Sequence, residues 1–466
     1  MANGIPKLED ECKPIEYLGY WWVPTSADGQ QLLRPGVLRA VPPSDFGLQI
    51  LGNLERELAQ KDIAMLWLKN PVRKYGVVNG ACSGGKRITL FDCTLNHQQW
   101  DSSDDTNLIK SNILYFDSWI GDECFSRKDD IKFVEYFAGM AGLREWHNVS
   151  AFNCQDVFCE HKSSISYQCP ESVLLYGDDR VEIKLSYSWR PPSRSIAQHE
   201  ASISHDARLI LKAKDSAISF YGDKQSVEYY LTGVRTVIGL MIGFGNPLYA
   251  CKGCVRFPAP GVQKVELSRS WWRDVSKEIV SSPMDVWVPF SKLNKDINDI
   301  IRGFFALPEL VQNFAGHVVH MNGERHKDLT QGVLPSLVAL FEGMQRELYM
   351  HGKYEKLVDR FHDEWGRVAE VFSFLDEVSF RALSEYVIQR RDNFSHANPD
   401  EYHKDFRLYR LSVLWMRMFN TAMILNASGV SAECIFGAYK GNREYQELCE
   451  IPELLMRYNE MGAREV

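Results

Sequence analysis

Short apolar and aromatic runs broken by turn residues fill the start of the chain, and long stripes of helical period fill its end. Tyr20-Trp21-Trp22-Val23-Pro24, Pro35-Gly36-Val37-Leu38, Leu48-Gln49-Ile50-Leu51, Val77-Val78 and Arg87-Ile88-Thr89-Leu90-Phe91 read as strands. Asn79-Gly80 and Ser83-Gly84-Gly85 are turn candidates between them. Regular short strands of this kind predict a sandwich or barrel over residues 1–145. Residues 146–290 read as mixed α/β: 181–189 alternates as a strand, 207–214 and 217–221 are further strand candidates, and 229–245 reads as a buried helix or a helix plus turn. From 291 to 466 the pattern turns helical. Apolar stripes cover 297–307, 309–320, 330–349, 354–372, 379–391 and 405–426, and a terminal helix over 444–461 is interrupted near Pro452. The expected fold class is α+β, a β-rich N-terminal region followed by an all-α helical bundle. Residues 408–425 are apolar almost all round, which suits the middle of a bundle or an oligomer interface.

A chain of 466 residues exceeds one ordinary domain, so two or three are expected. The net charge of −8 argues against bulk attraction to nucleic acid, so any RNA contact must be local. The chain opens on a polar stretch rather than a signal peptide, and its longest apolar run, 236–245, is too short to span a bilayer. With 11 scattered cysteines, it reads as cytoplasmic, with no membrane partner and reduced thiols.

Candidate chemistry centres on Arg390-Arg391-Asp392-Asn393-Phe394-Ser395-His396. Histidine moves protons near neutral pH, and the planar fork of arginine fits a phosphate. The same spacing recurs at Arg194/His199 and Arg346/His351, so spacing alone does not choose among the three. Context favours Arg391, which ends an amphipathic run with Ser379 as a plausible N-cap and Asn398-Pro399 beyond it. Residues five apart on one helix diverge by about 140°, so a helix end between Arg391 and His396 would let both face one cleft. Arg346/His351, just before Gly352, is the stronger competitor. Around the motif, Arg381, Arg390, Arg391, Lys404, Arg407, Arg410 and Arg417 outnumber nearby acids, a mild basic patch or simply a solvated helix face.

The helical C-terminal region, the Arg-x4-His motif and the apolar helix behind it resemble a HEPN domain. Gly19-Tyr20-Trp21-Trp22-Val23-Pro24, Pro35-Gly36-Val37-Leu38, Gly80, Ile88-Thr89-Leu90-Phe91 and residues 116–120 resemble the N-terminal domain of ApeA-type proteins. The resemblance covers most of the chain. It implies a bacterial abortive-infection protein whose C-terminal HEPN ribonuclease is released by a phage-derived trigger. It further implies metal-independent cutting of host RNA, transfer RNA being the family substrate, with 2′,3′-cyclic phosphate ends. His396 would be the general acid or base, Arg391 would stabilise phosphate charge, and Asp392 or Asn393 would orient the histidine or the RNA. Arg390, Lys404 and Arg407 are the RNA-binding candidates. The family favours a polar residue after the arginine, often asparagine, where this chain has Asp392. Glu342 resembles a recurrent acidic position, against the plainer reading of a surface glutamate. A homodimer through the HEPN domain, or a higher oligomer, is implied; the 408–425 helix is one way to build it. A helix-end salt bridge from Arg391 to Asp392 or Glu385 would instead mark an inactive HEPN sensor or scaffold.

Catalysis of this kind uses no cofactor. Cys251-Lys252-Gly253-Cys254 has zinc-knuckle spacing, and Cys154, Cys159, His161 and Cys169 could complete a structural zinc site, with unliganded thiols the plainer reading. A sugar-binding or glycoside-processing reading would rest on Asp101, Asp104 and Asp105, which sit in a polar stretch and read better as exposed acids.

Overall fold

In the computed structural model, residues 15–24, 32–41, 45–52, 54, 74–99, 111–116, 118–121, 123–157, 162–190, 204–222, 224–244, 248–256, 262–269, 282–323, 332–349, 356–395 and 406–464 are described. Six antiparallel strands close a small barrel: β1 (Ile15–Trp22), β2 (Arg34–Val41), β3 (Asp45–Leu51), β4 (Lys74–Cys82), β5 (Arg87–Gln99) and β6 (Ser111–Tyr115). The ring runs β5-β4-β1-β2-β3-β6 and closes because β6 pairs back onto β5. Closure removes the exposed edges an open sheet would carry.

The barrel interior explains the aromatic and glycine motifs of the sequence. Trp21 is fully buried in a core with Leu38, Leu48, Ile50, Val78, Ile88, Leu90 and Leu114. Its indole Nε1 donates to the Gly36 carbonyl at 3.3 Å. A Cβ on Gly80 would lie 2.4 Å from the Trp21 ring, so only glycine leaves room for it. Asn79-Gly80 is therefore not a turn, contrary to the expectation; both residues lie inside β4. Asn79 is buried, donates from Nδ2 to the Phe125 carbonyl (3.0 Å) and accepts from Thr89 Oγ1 (2.8 Å). The turn falls at Ser83–Gly85, where Gly84 and Gly85 both have φ of +76°.

A second sheet grows from the barrel wall. Strand β7 (Ser118–Gly121) pairs with β5. From it the order continues through β16 (Val262–Arg269), β15 (Leu248–Arg256), β8 (Lys132–Met140), β13 (Ser204–Ala213), β12 (Val181–Arg190) and β11 (Val173–Gly177). The two-residue β14 (Ile218–Ser219) pairs with β8, and β9 (Phe152–Val157) and β10 (Lys162–Tyr167) form a separate hairpin. Because β8 pairs with both β13 and β15, one sheet crosses the boundary expected at 145/146. Helix α1 (Leu143–His147) and α2 (Val227–Ile242) are bound to this sheet. Ser226 caps α2 by accepting from the Tyr229 amide, and Gly243 ends it at φ +77°.

The helical region comprises α3 (Ile297–Ala306), α4 (Glu309–Asn322), α5 (Val333–Tyr349), α6 (Leu357–Val368), α7 (Glu377–Ser395), α8 (Phe406–Ala427), α9 (Ala432–Tyr439), α10 (Arg443–Leu448) and α11 (Ile451–Arg464). Buried residues of the second sheet, α2 and these helices form one continuous hydrophobic core. The joint is also polar. Gly177, at the β11–β12 turn, donates its N–H to Asn298 Oδ1 (3.0 Å), and its carbonyl accepts from Arg302 Nε (3.1 Å), both on α3. Trp146 Nε1 donates to the Val288 carbonyl at 3.1 Å, and the Val288 amide donates to the Met241 carbonyl at 2.8 Å.

The apolar helix α8 is the central helix of the bundle, and every residue from Leu411 to Leu425 is buried inside the chain. Of its two expected placements, the bundle interior is the observed one. Its buried polar groups serve neighbours: Arg417 donates to the Met321 carbonyl at the end of α4, and Asn420 Nδ2 to the Leu337 carbonyl at 3.0 Å.

Candidate functional site

Helix α7 carries Arg391, the arginine of the Arg-x4-His motif, and its limits differ from the expectation. Its cap is Asp376, whose Oδ1 accepts from the Ser379 amide at 2.7 Å, so Ser379 lies inside the first turn. The helix continues through Ser395, four residues past Arg391. No helix end therefore intervenes between Arg391 and Ser395. His396 lies outside the described residues, as do His351, Arg194, His199 and Lys404.

Two consecutive arginines on α7 have opposite environments, because neighbours on a helix point about 100° apart. Arg390 is 4% exposed. Its guanidinium lies 5.0 Å from the Tyr386 ring centroid and 6.0 Å from that of Tyr458 on α11. It is a packing residue, not an accessible RNA contact. Arg391 is 34% exposed, with Nη2 3.2 Å from Glu342 Oε2 on α5 and Nη1 3.2 Å from Asp392 Oδ1. Asp392 is exposed and Asn393 half-buried. Glu385, the other expected partner of Arg391, pairs instead with Arg381 at 3.2 Å.

Glu342 is the centre of a larger cluster. Its Oε1 lies 3.1 Å from Arg346 Nη2, one turn along α5, and 3.5 Å from Arg360 Nη1 on α6. Arg360 is 2% exposed. Below this rung, Gln345 Nε2 donates to Glu364 Oε2 at 2.9 Å, and Arg367 Nη1 stands 3.4 Å from the same oxygen. Arg367 also covers the Tyr349 ring at 3.7 Å. The residues on α5 (342, 345, 349) and α6 (360, 364, 367) recur at helical spacing, so the two helices face each other through a ladder of polar rungs. Phe341 stacks on Phe361 beside it, centroids 4.2 Å apart. Glu364 is fully buried, and burial raises its carboxyl pKa above the ordinary range, more than Arg367, Gln345 and Tyr349 lower it.

Among the described residues the expected basic patch is largely ion-paired or buried. Arg407 pairs with Glu450 (2.8 Å), Arg410 with Glu447, and Arg381 with Glu385, while Arg390 and Arg417 are buried. The acids from α10 and α11's approach, Glu447 and Glu450, are distant in sequence and so were invisible to a local charge count. The sequence reading singled out Arg391 and Glu342 but missed Gln345, Arg360, Glu364 and Arg367. A signal was present for three of them: Gln345, Arg360 and Glu364 are polar residues on the apolar stripe of their helix, with Met344, Phe361 and Val368, whereas Arg367 is exposed.

Cys251 and Cys254 both lie on the extended strand β15 rather than in the turn of a zinc knuckle. Their side chains, and that of Cys154, lie outside the described residues, as do Cys159 and His161 altogether; Cys169 is exposed. Among the described residues no group of three His, Cys, Asp or Glu is placed to hold a metal ion. Asp101, Asp104 and Asp105 also lie outside the described residues. Among those residues no helix is long and apolar enough to cross a membrane.

A closed six-stranded barrel continued into a sheet that shares its core with a helical bundle defines a two-part α+β protein with its charged cluster on the helical side. Residues 16–240 match the family model ApeA N-terminal domain 1. That span takes in the barrel, much of the second sheet and all but the last two residues of α2. The match covers the N-terminal half of the chain; it supports an ApeA-like protein, and an ApeA N-terminal domain suggests anti-phage defence. No curated protein and no solved structure matches the chain.

Proposed function

We infer that the chain is a phage-triggered HEPN endoribonuclease that cuts host RNA, transfer RNA being the first substrate to try. The observation that carries this reading is Arg391: a partly exposed guanidinium on α7, held against Glu342, in an all-helical region joined to an ApeA-type domain. In the reaction a ribose 2′-hydroxyl attacks its own phosphate and expels the 5′-oxygen, leaving 2′,3′-cyclic phosphate and 5′-hydroxyl ends. Such a step needs proton transfer and charge stabilisation, which His396 and Arg391 supply. Asp392 and Asn393 orient the histidine or the RNA. The work is done in the bacterial cytoplasm by a homodimer that places two motifs at one cleft. The N-terminal region restrains it until a phage component binds.

A second reading, an inactive sensor or scaffold, is favoured by one observation: both arms of Arg391 carry carboxylates, Glu342 and Asp392. Cleavage of total bacterial RNA in EDTA, with and without co-expressed phage genes, separates the two. Cutting that yields cyclic phosphate ends and is lost in Arg391→Ala and His396→Ala supports the nuclease. Toxicity and cutting absent under every phage challenge support the scaffold.

A further inference from the structure

The sequence offers Arg346/His351 and Arg391/His396 as rival motifs. The structure brings the two arginines to one carboxylate. Arg346 Nη2 lies 3.1 Å from Glu342 Oε1, and Arg391 Nη2 lies 3.2 Å from Glu342 Oε2. Both side chains are partly exposed, at 48% and 34%. Arg360 approaches Oε1 from the buried side. Glu342 thus supplies a single negative charge to three guanidiniums, and Asp392 a second to Arg391.

We propose that Arg346 and Arg391 form one phosphodiester-binding site on the α5–α7 face, with Glu342 as its shared counter-ion and Arg360 as the positioning residue that holds Glu342 from beneath. Guanidiniums gathered on one carboxylate repel each other, and a further anion between the two exposed arms relieves that repulsion. Each arm is planar and able to bind two phosphate oxygens. Arg360 is buried, so its pairing with Glu342 remains when the outer arms turn toward a ligand. The site takes the backbone of a single-stranded polynucleotide, a class that rests on the ribonuclease reading. It makes Arg346 a substrate-contacting residue of the Arg391 motif rather than the start of a rival one.

The test is binding of a fluorescein-labelled 2′-O-methyl RNA oligonucleotide, which lacks the attacking hydroxyl, to the full-length protein over a range of salt. Each phosphate contact on a single strand contributes about 0.7 to the slope of log affinity against log salt. Arg346→Gln and Arg391→Gln are each expected to lower that slope by about 0.7, and Arg346→Lys to keep it. Arg381→Gln, an exposed ion-paired position on the same helix, is expected to leave it unchanged. Arg360→Met, compared at matched folded fraction, is expected to weaken binding with the slope kept. A wild-type protein that does not bind, or an Arg346→Gln slope equal to wild type, overturns the proposal. Cleavage measured in the same variants keeps the two readings apart. Slope loss in Arg346→Gln without cleavage by any form keeps the phosphate site and removes the nuclease. Cleavage with an unchanged Arg346→Gln slope does the reverse.

Discussion

The barrel and the α5–α6–α7 face of the bundle build their interiors from opposite materials. The barrel core is apolar and is built around Trp21, which fits because its neighbours on β2 and β4 are glycines. The bundle buries Arg360, Glu364, Gln345, Arg390 and Arg417 among aromatic rings. An apolar core sets shape by exclusion, and small errors of volume are its main weakness. A buried polar network sets direction, because each group must find a particular partner. The conspicuous N-terminal motifs are therefore packing devices, while the residues able to meet a ligand sit where the sequence looks least regular.

The largest effect should come from the barrel. Trp21→Ala is expected to cost about 3–5 kcal/mol, as truncation of a buried aromatic does, read as a fall in the urea midpoint. An unchanged midpoint would mean that the barrel is not held by its tryptophan. Next comes Arg417→Ala on α8, which strands the Met321 carbonyl and should cost about 1–3 kcal/mol in the same assay. Equal costs for the two substitutions would erase the contrast between the interiors.

The third expectation concerns pH. The folded Glu364 carboxyl titrates above its unfolded value, so the folded state binds more protons and loses stability as pH rises through this interval. Glu364→Gln keeps an acceptor for Gln345 and removes the charge. Its melting temperature should gain on wild type at pH 7 relative to pH 4, and a difference that does not vary with pH would count against a displaced titration. The smallest stability change belongs to the residue proposed to meet the phosphate: Arg391→Ala, in a partly exposed pair, should shift stability by no more than about 0.5 kcal/mol. Its neighbour Arg390→Ala should cost more, through lost contact with Tyr386 and Tyr458. Thermal melts of the two single variants decide whether adjacent arginines really have separate duties.

Much of this architecture was legible from periodicity. Alternation gave β12, the aromatic run at 20–24 caught only the end of β1, and the 3.6-residue stripes gave α3 through α8 to within about four residues of their ends. Asn79-Gly80 misled because a dipeptide favoured in tight hairpins also suits a strand packed against a large ring, a contact made with residue 21. The helix α9 escaped for want of length, although Ser431 caps it by accepting from the Cys434 amide at 3.2 Å. Arg391 could be picked out by context, and Glu342 by resemblance. Arg360 was marked only as a polar residue on an apolar stripe, and its partner Glu342 lies on another helix, out of reach of a local pattern. Arg407 and Arg410 dropped out of the basic patch in the same way, paired with Glu450 and Glu447 across the fold.

The continuous core from the second sheet into the bundle, with Gly177 gripped through both its N–H and its carbonyl by α3, has an evolutionary consequence. The two halves are not interchangeable cassettes. A recombination event that joined this N-terminal region to a foreign helical partner would have to carry Asn298, Arg302 and the apolar lining of α2 along with it. Diversification is then easier at the barrel's outer surface and loops, which can drift without disturbing the seam, than by shuffling whole modules.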